Sequence, residues 1–158
     1  MADDVKQRLR ELSENLALTM AEGGMQRSTA RVLAALLFSD QETMTAADLC
    51  AELGISSGAV SGAVRQLGPA GLIERAPAPG SRRDHFRVPR GAWATLMGNQ
   101  NTVLGVLLKT AEEGVEAAGE DSFAGQRLAE MRDFYAYMDQ EMPRLIERWR
   151  ERYFGRSG

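Results

Sequence analysis

Residues 45–73 read TAADLCAELGISSGAVSGAVRQLGPAGLI, and this stretch decides the fold. Thr45, followed three residues later by Asp48, resembles a helix-capping box with Asp where Glu or Gln is usual. Gly54 tolerates a positive φ and can end this first helix abruptly. Ser56 is suited to cap a second helix. The spacing therefore predicts two short helices joined by a sharp turn.

The side chains of these two helices divide onto two faces. Leu49 and Leu53 lie one turn apart, and Val60, Val64 and Leu67 repeat at helical spacing, so the helices are expected to pack through them. The opposite face of the second helix carries small or polar residues: Ser57, Gly58, Ser61, Gly62 and Arg65. Such a face suits a helix that lies in the DNA major groove, so the stretch predicts a helix-turn-helix. An ordinary αα-hairpin is the alternative.

The segment after the second helix predicts a β-hairpin. Residues 72–76 can form a short strand, residues 77–81 have turn chemistry, and residues 85–88 alternate polar and apolar side chains. A two-stranded hairpin in this place is the wing of a winged helix.

The tip of this predicted wing is basic. Arg82 and Arg83 are placed to reach the minor groove or the phosphates, although solvated surface arginines would look the same. Asp84 is expected to orient an arginine rather than to touch DNA.

Two runs of residues carry a resemblance to a known family. The first run is Ser56-x-Gly58-x-Val60-Ser61 with Arg65-x-Leu67 and Gly71-Leu72-Ile73. The second run is Gly80-Ser-Arg82-Arg83-Asp84-His85-Phe86-Arg87-Val88. Together they resemble the MarR superfamily, and within it the GbsR-like branch, over about residues 45–90. The resemblance implies a dimeric winged helix-turn-helix transcription regulator, usually a repressor, whose DNA affinity responds to a small ligand.

Charge along the chain agrees with a nucleic-acid partner. Residues 55–90 hold six arginines, no lysine and two acidic residues, whereas the whole chain has a net charge of −3. A local basic face steers a phosphate backbone, and an acidic remainder disfavours wrapping of the DNA around the protein. Arginine also fits phosphates and guanine edges better than lysine does.

The expected site is a DNA-binding surface. Its predicted residues are Ser56, Ser57, Gly58, Ser61, Gly62, Arg65, Gln66, Arg82, Arg83 and His85. One histidine and one cysteine make no zinc site, and no nucleophile–base pair, P-loop or dinucleotide fingerprint occurs. We therefore expect no catalytic residue, metal or cofactor, and no enzymatic activity. A winged helix that binds protein instead of DNA is the alternative function.

The flanking helices predict an assembly module. We expect one domain over residues 1–158, mainly α with a small β-hairpin wing, in which residues 25–90 bind DNA and residues 1–24 and 91–158 dimerise. The two helices after the wing should run roughly 40 to 48 Å at 1.5 Å per residue, and their apolar stripes need a partner. A second copy on a two-fold axis would place two winged helices on the half-sites of a pseudo-palindromic operator.

Details of these helices lead to smaller expectations. Gly91 should open the first long helix and residues 119–122 should end it, while Pro143 should kink or disrupt the second. Gly98 and Gly105 either permit close helix crossing or add local flexibility.

The remaining sequence features bear on ligands and location. Six aromatic residues and the eight methionines across the chain either form core or line a site for a small effector; the aromatic residues are Trp93, Phe123, Phe134, Tyr135, Tyr137 and Trp149. Cys50 is expected to be a buried structural residue rather than a redox sensor. The charged start, the single cysteine and the lack of a long apolar run predict a cytoplasmic protein with no membrane partner.

Overall fold

A computed structural model describes residues 1–99 and 101–155 of the chain. The elements in chain order are α1 (Ala2–Glu22), α2 (Arg27–Phe38), β1 (Met44–Thr45), α3 (Ala46–Leu53), α4 (Ser57–Leu67), β2 (Glu74–Ala76), β3 (His85–Arg87), α5 (Ala92–Asn99), α6 (Asn101–Ala118) and α7 (Phe123–Phe154). They form two compact units, Met1–Ala92 and Trp93–Gly158. The predicted class, mainly α with a small β wing, is confirmed.

The core of the first unit is built around α2. This helix is buried along most of its length, with Val32 and Leu33 fully inaccessible to solvent. Buried side chains of α3, α4, β3 and the two residues before β2 complete the core: Leu49, Leu53, Val60, Ala63, Leu67, Leu72, Ile73 and Phe86. α1 packs against α2 through a smaller cluster that centres on Ala17, Ala30 and Ala34.

The local signals in residues 45–73 form the predicted caps. The Thr45 hydroxyl accepts the backbone N–H of Asp48 at 3.1 Å, and the Asp48 carboxylate accepts that of Thr45 at 2.8 Å, which completes the capping box of α3. Gly54 ends α3 with φ 63° and ψ 35° in the left-handed region. Ser56 accepts the N–H of Ala59 and caps α4. Both helices of the predicted helix-turn-helix are confirmed.

The wing belongs to a three-stranded antiparallel sheet in the order β1-β3-β2. The predicted hairpin of β2 and β3 is present, with Arg75 opposite Phe86. The sequence did not predict β1, which adds Thr45 opposite His85. Thr45 therefore serves both the sheet and the cap of α3, and this double role ties the wing to the helix-turn-helix.

The second unit is a helical layer in which α6 packs on α7. A Cβ on Gly114 of α6 would lie 2.7 Å from Leu128 of α7, so the two helices cross closely at this glycine. A Cβ on Gly125 would overlap the carbonyl oxygen of Gly119, at the turn between the helices. By contrast, a Cβ on Gly98 or Gly105 would meet no described atom within 4 Å.

The lengths of the last helices partly follow expectation. The helix predicted from Gly91 onward appears as α5 and α6, and residue 100 between them lies outside the described residues. α7 starts after the capping residue Ser122 and continues as one helix through Pro143, so the proline does not disrupt it. Among the described residues, no helix is long and apolar enough to cross a bilayer.

Candidate nucleic-acid interface

α4 turns its small polar face to solvent. Ser57, Gly58, Ser61 and Arg65 are exposed and Gly62 is half-buried, whereas the opposite face of the helix is in the core. This division arises because the apolar residues at three- and four-residue spacing pack inward and leave the others outside. The predicted recognition surface is therefore accessible.

The two glycines of this face are not required by the fold. Neither has a positive φ. A Cβ on Gly58 would approach the Ser56 hydroxyl oxygen at 3.8 Å, and a Cβ on Gly62 would lie 4.0 Å from Nη2 of Arg65. Since these are ordinary contacts, the free protein has room for alanine at both positions.

Gln66 differs from its neighbours because its amide is bonded within the protein. Its Oε1 accepts the hydroxyl of Thr29 at 2.8 Å, and its Nε2 donates to Oε1 of Gln26 at 3.0 Å. Thr29 is only 1% exposed, so the first bond holds a buried polar group. Gln66 thus anchors α4 to α2, a partnership that the sequence spacing did not indicate.

His85 is bonded at both ring nitrogens. Nδ1 shares a 2.9 Å hydrogen bond with Oγ1 of Thr43, and Nε2 shares one of 2.9 Å with Oγ of Ser81. The Ser81 oxygen also accepts the backbone N–H of Arg83 at 3.2 Å. The ring therefore links the segment before β1 to the tip of the wing.

Two arginines of the basic segment are held by acidic residues. Arg87 pairs with Glu74 at 2.8 Å and with Glu42 at 3.5 Å. Arg75 pairs with Asp84 at 3.7 Å, so Asp84 orients an arginine as expected. These pairs are partly or largely exposed and contribute little to stability individually, but they reduce the positive charge that β2 and β3 offer to a partner.

Three other arginines have no such partner. Arg65, Arg82 and Arg83 are exposed, and none forms an ion pair with an acidic group among the described residues. They come from α4 and from the wing tip, the two elements that the sequence analysis assigned to DNA. Guanidinium groups without an ion-pair partner are the ones most available to bind phosphate.

A cleft of about 560 Å³ joins α4 to the wing. Arg65 of α4, Arg75 of β2 and Arg83 of the wing line it together with Ser61 and Asp84. The structure thus brings Ser61, Arg65 and Arg83 into one concave surface. Arg82 and the start of α4 at Ser56, Ser57 and Gly58 are exposed but do not line this cleft.

The pKa of Asp48 in the first turn of α3 is lowered by Thr45 and by charged residues of the wing. The backbone N–H and then the hydroxyl of Thr45 lower the pKa of Asp48, burial opposes them, and the charges of His85 and Arg83 make smaller contributions that lower it. Asp48 is therefore ionised near neutral pH, where it stabilises the start of α3.

Comparison with known proteins bears on the family of the chain. A protein-family model described as the MarR family matches residues 23–84. A second family model, described as an MmpR5-like MarR family transcriptional regulator, matches residues 91–152. The HTH-type transcriptional regulator MmpR5 of Mycobacterium tuberculosis is 31% identical over 143 residues, which span 90% of this chain and 87% of that protein. The chain belongs to the MarR family. It is accordingly a winged helix-turn-helix, DNA-binding transcription regulator, and its relatives are regulators rather than enzymes.

A solved structure supports the fold assignment. This crystal structure, described as a transcriptional regulator, is 30% identical in sequence and superposes with a TM-score of 0.78. The match covers 91% of this chain and 99% of the other. The similarity therefore extends over both compact units and is not limited to the helix-turn-helix.

Proposed function

We propose that this MarR-family protein is a repressor that binds a pseudo-palindromic operator as a homodimer, with α4 in the major groove and the wing on the phosphates or in the minor groove. One observation carries the proposal: Ser61 and Arg65 on the exposed face of α4 line the same cleft as Arg83, which has no ion-pair partner among the described residues. A groove-bound helix and a wing arginine must meet the same duplex, so they need to share one surface.

Within that surface, the residues have different roles. Ser56, Ser57, Gly58, Ser61 and Gly62 allow the backbone of α4 to approach the DNA, and Arg65 reads a base edge. Arg82 and Arg83 neutralise phosphates. Gln66 fits a role as an anchor of α4 better than a base contact, because its amide already has two partners.

The dimer is supported by apolar side chains that the single chain leaves uncovered. Val5, Leu12 and Leu18 of α1 are exposed. The second unit exposes Trp93, Met97, Val103, Val106, Phe123, Phe134, Tyr137, Leu145, Trp149 and Tyr153. Apolar surface on this scale marks an interface, which favours residues 1–24 and 91–158 as the dimerisation part and residues 25–90 as the DNA-binding part of one functional domain.

The exposed aromatic residues also bear on an effector. Phe123 is 83% exposed and Tyr137 is 63% exposed, so neither belongs to the core of the single chain. A dimer would cover many of these side chains and could enclose a small apolar or cationic effector among them. The proposed membership of the GbsR-like branch rests on the wing run from Gly80 to Val88. The proposed cytoplasmic location rests on the regulator family and on the single cysteine.

Footprinting on the intergenic DNA beside the coding region tests the operator. Two protected half-sites about one helical turn apart are expected for a two-fold dimer. A single short footprint would contradict the dimeric arrangement.

A salt titration of duplex binding separates DNA binding from the protein-partner alternative. Affinity should fall steeply as salt rises, by roughly one unit of log–log slope for each neutralised phosphate. Arg82→Ala and Arg83→Ala should weaken binding to all duplexes, whereas Arg65→Ala should change sequence preference. A flat salt dependence would favour a winged-helix module that binds protein.

A further inference from the structure

His85 lies at the centre of a series of hydrogen bonds that ends at the backbone N–H of Arg83, the arginine proposed above to bind phosphate. The hydrogen-bond series starts at Thr43, next to β1, passes through the two ring nitrogens of His85 to Ser81, and reaches the backbone N–H of Arg83. Thr43 and His85 are half-buried, whereas Ser81 and Arg83 are exposed. The half-buried end of this hydrogen-bond series is therefore in the body of the protein, and its exposed end is in the wing tip.

The His85 end of this hydrogen-bond series is fixed by contacts with β1 and α3. β1 pairs with β3 so that Thr45 stands opposite His85, and Thr45 also caps α3 in the capping box. The ring is thus positioned both by the sheet and by Thr43. The tip between residues 77 and 84 has fewer constraints: a turn bond from Ser81 N–H to the carbonyl of Ala78, the positive φ of Gly80 and the exposed ion pair of Asp84 with Arg75.

His85 has no ring nitrogen left for DNA. Both nitrogens already bond to hydroxyl groups, and a hydroxyl can either donate or accept. The two bonds can therefore persist in either tautomer. A direct phosphate contact by the ring would first require one of them to break.

We propose that His85 is a positioning residue of the DNA interface, which acts through Ser81 to fix the backbone of Arg83 rather than by touching DNA itself. The inference rests on the proposed function, because it assumes that Arg83 binds a phosphate. Fixing the arginine before binding reduces the conformational entropy lost on association.

A double-mutant cycle tests the proposal on a mixed-sequence duplex of roughly 30 base pairs, about three helical turns, at low salt. His85→Ala should weaken binding about five-fold, the effect of one net hydrogen bond. In an Arg83→Ala background the same change should have no further effect, because the group that His85 positions is absent. In an Arg65→Ala background it should keep its full effect, since Arg65 lies on α4.

Conservative variants separate positioning from packing. The terminal amide of glutamine reaches about as far as Nε2, so His85→Gln can keep the bond to Ser81 and should bind nearly as well as the unmodified protein. The shorter amide in His85→Asn reaches about as far as Nδ1 and should behave like His85→Ala. Ser81→Ala leaves the ring and Thr43 bonded and should weaken binding as much as His85→Ala does.

Hydrogen exchange in the free protein gives a readout that does not depend on DNA. The Arg83 amide should exchange faster in His85→Ala and Ser81→Ala, with amides of α3 and α4 unchanged. Additive effects of His85→Ala and Arg83→Ala, or normal binding by Ser81→Ala, would overturn the inference alone. No binding of any duplex by the unmodified protein would overturn the proposed function, and this inference with it.

Discussion

Replacing Gly58 and Gly62 of α4 with alanine should make the protein more stable and a weaker DNA binder. An alanine in a helix interior is favoured over glycine by about 1 kcal/mol. The added methyl groups would meet only the Ser56 hydroxyl at 3.8 Å and the flexible end of Arg65 at 4.0 Å. No strain offsets the gain. Gly62 lies inside α4, whereas Gly58 lies in its first turn, where alanine is favoured less, so the double variant should gain about 1 to 2 kcal/mol, or roughly 2 to 8 °C in Tm for a chain of this size.

The same methyl groups lie on the face that is proposed to enter the groove. They add bulk where the backbone must approach the DNA, so we expect each variant to weaken duplex binding about ten-fold, equivalent to about 1.4 kcal/mol. Urea or thermal unfolding measures the first effect, and fluorescence anisotropy with a labelled intergenic duplex measures the second. Ala51→Gly, at an exposed site of α3 outside the cleft, is the matched control: it should destabilise the protein by about 1 kcal/mol and leave DNA affinity unchanged.

Opposite signs for stability and affinity are the diagnostic result. If both alanine variants bound the duplex as tightly as the unmodified protein, α4 would not approach DNA closely and its proposed placement would be wrong. If they lost stability, the contacts around Gly58 and Gly62 would differ from those described.

Three further predictions concern the contacts that hold this surface. Thr45→Ala should cost about 1 kcal/mol of unfolding free energy because it removes the hydroxyl of the capping box; an unchanged urea midpoint would contradict this. The lowered pKa of Asp48 contributes stability that is present above its ordinary value of 3.8 and is lost as pH falls through the lowered value, so the free energy of unfolding of Asp48→Asn should depend less on pH in this range than that of the unmodified protein. The same pH dependence in both proteins would refute this prediction. Thr29→Val should cost about 1 kcal/mol and loosen α4, since it removes the hydroxyl that donates to Gln66; the measurement is unfolding together with hydrogen exchange in α4, and Thr19→Val at an exposed site is the control.

Local contacts explain why much of the helix-turn-helix was predictable. The partners in the capping box are three residues apart, as are Ser56 and Ala59, and Gly54 acts through its own φ. Interactions of this span appear directly as spacings in the sequence. The outward face of α4 follows as well, because the helical period separates inward from outward residues.

Long-range pairings were not predictable in the same way. Gln66 looked like a polar reader of DNA, but its partners Thr29 and Gln26 lie 37 and 40 residues away. Thr43 and His85 are 42 residues apart, and their bond depends on the unpredicted strand β1. A long polar side chain on a helix surface has the same sequence signature whether it points to a ligand or to its own chain, so only the fold distinguishes these roles.

Three exposed arginines without ion-pair partners among the described residues are central to the account, and the salt dependence of binding by a variant that lacks them tests it most directly. The unmodified protein and the Arg65→Ala, Arg82→Ala, Arg83→Ala triple variant would be titrated with salt on the same duplex. If Arg82 and Arg83 lie on phosphates and Arg65 on a base edge, the log–log slope of the variant should be smaller by about 1.8, or about 0.9 for each of the two lost phosphate contacts. Equal slopes for the two proteins would show that α4 and the wing do not face the DNA.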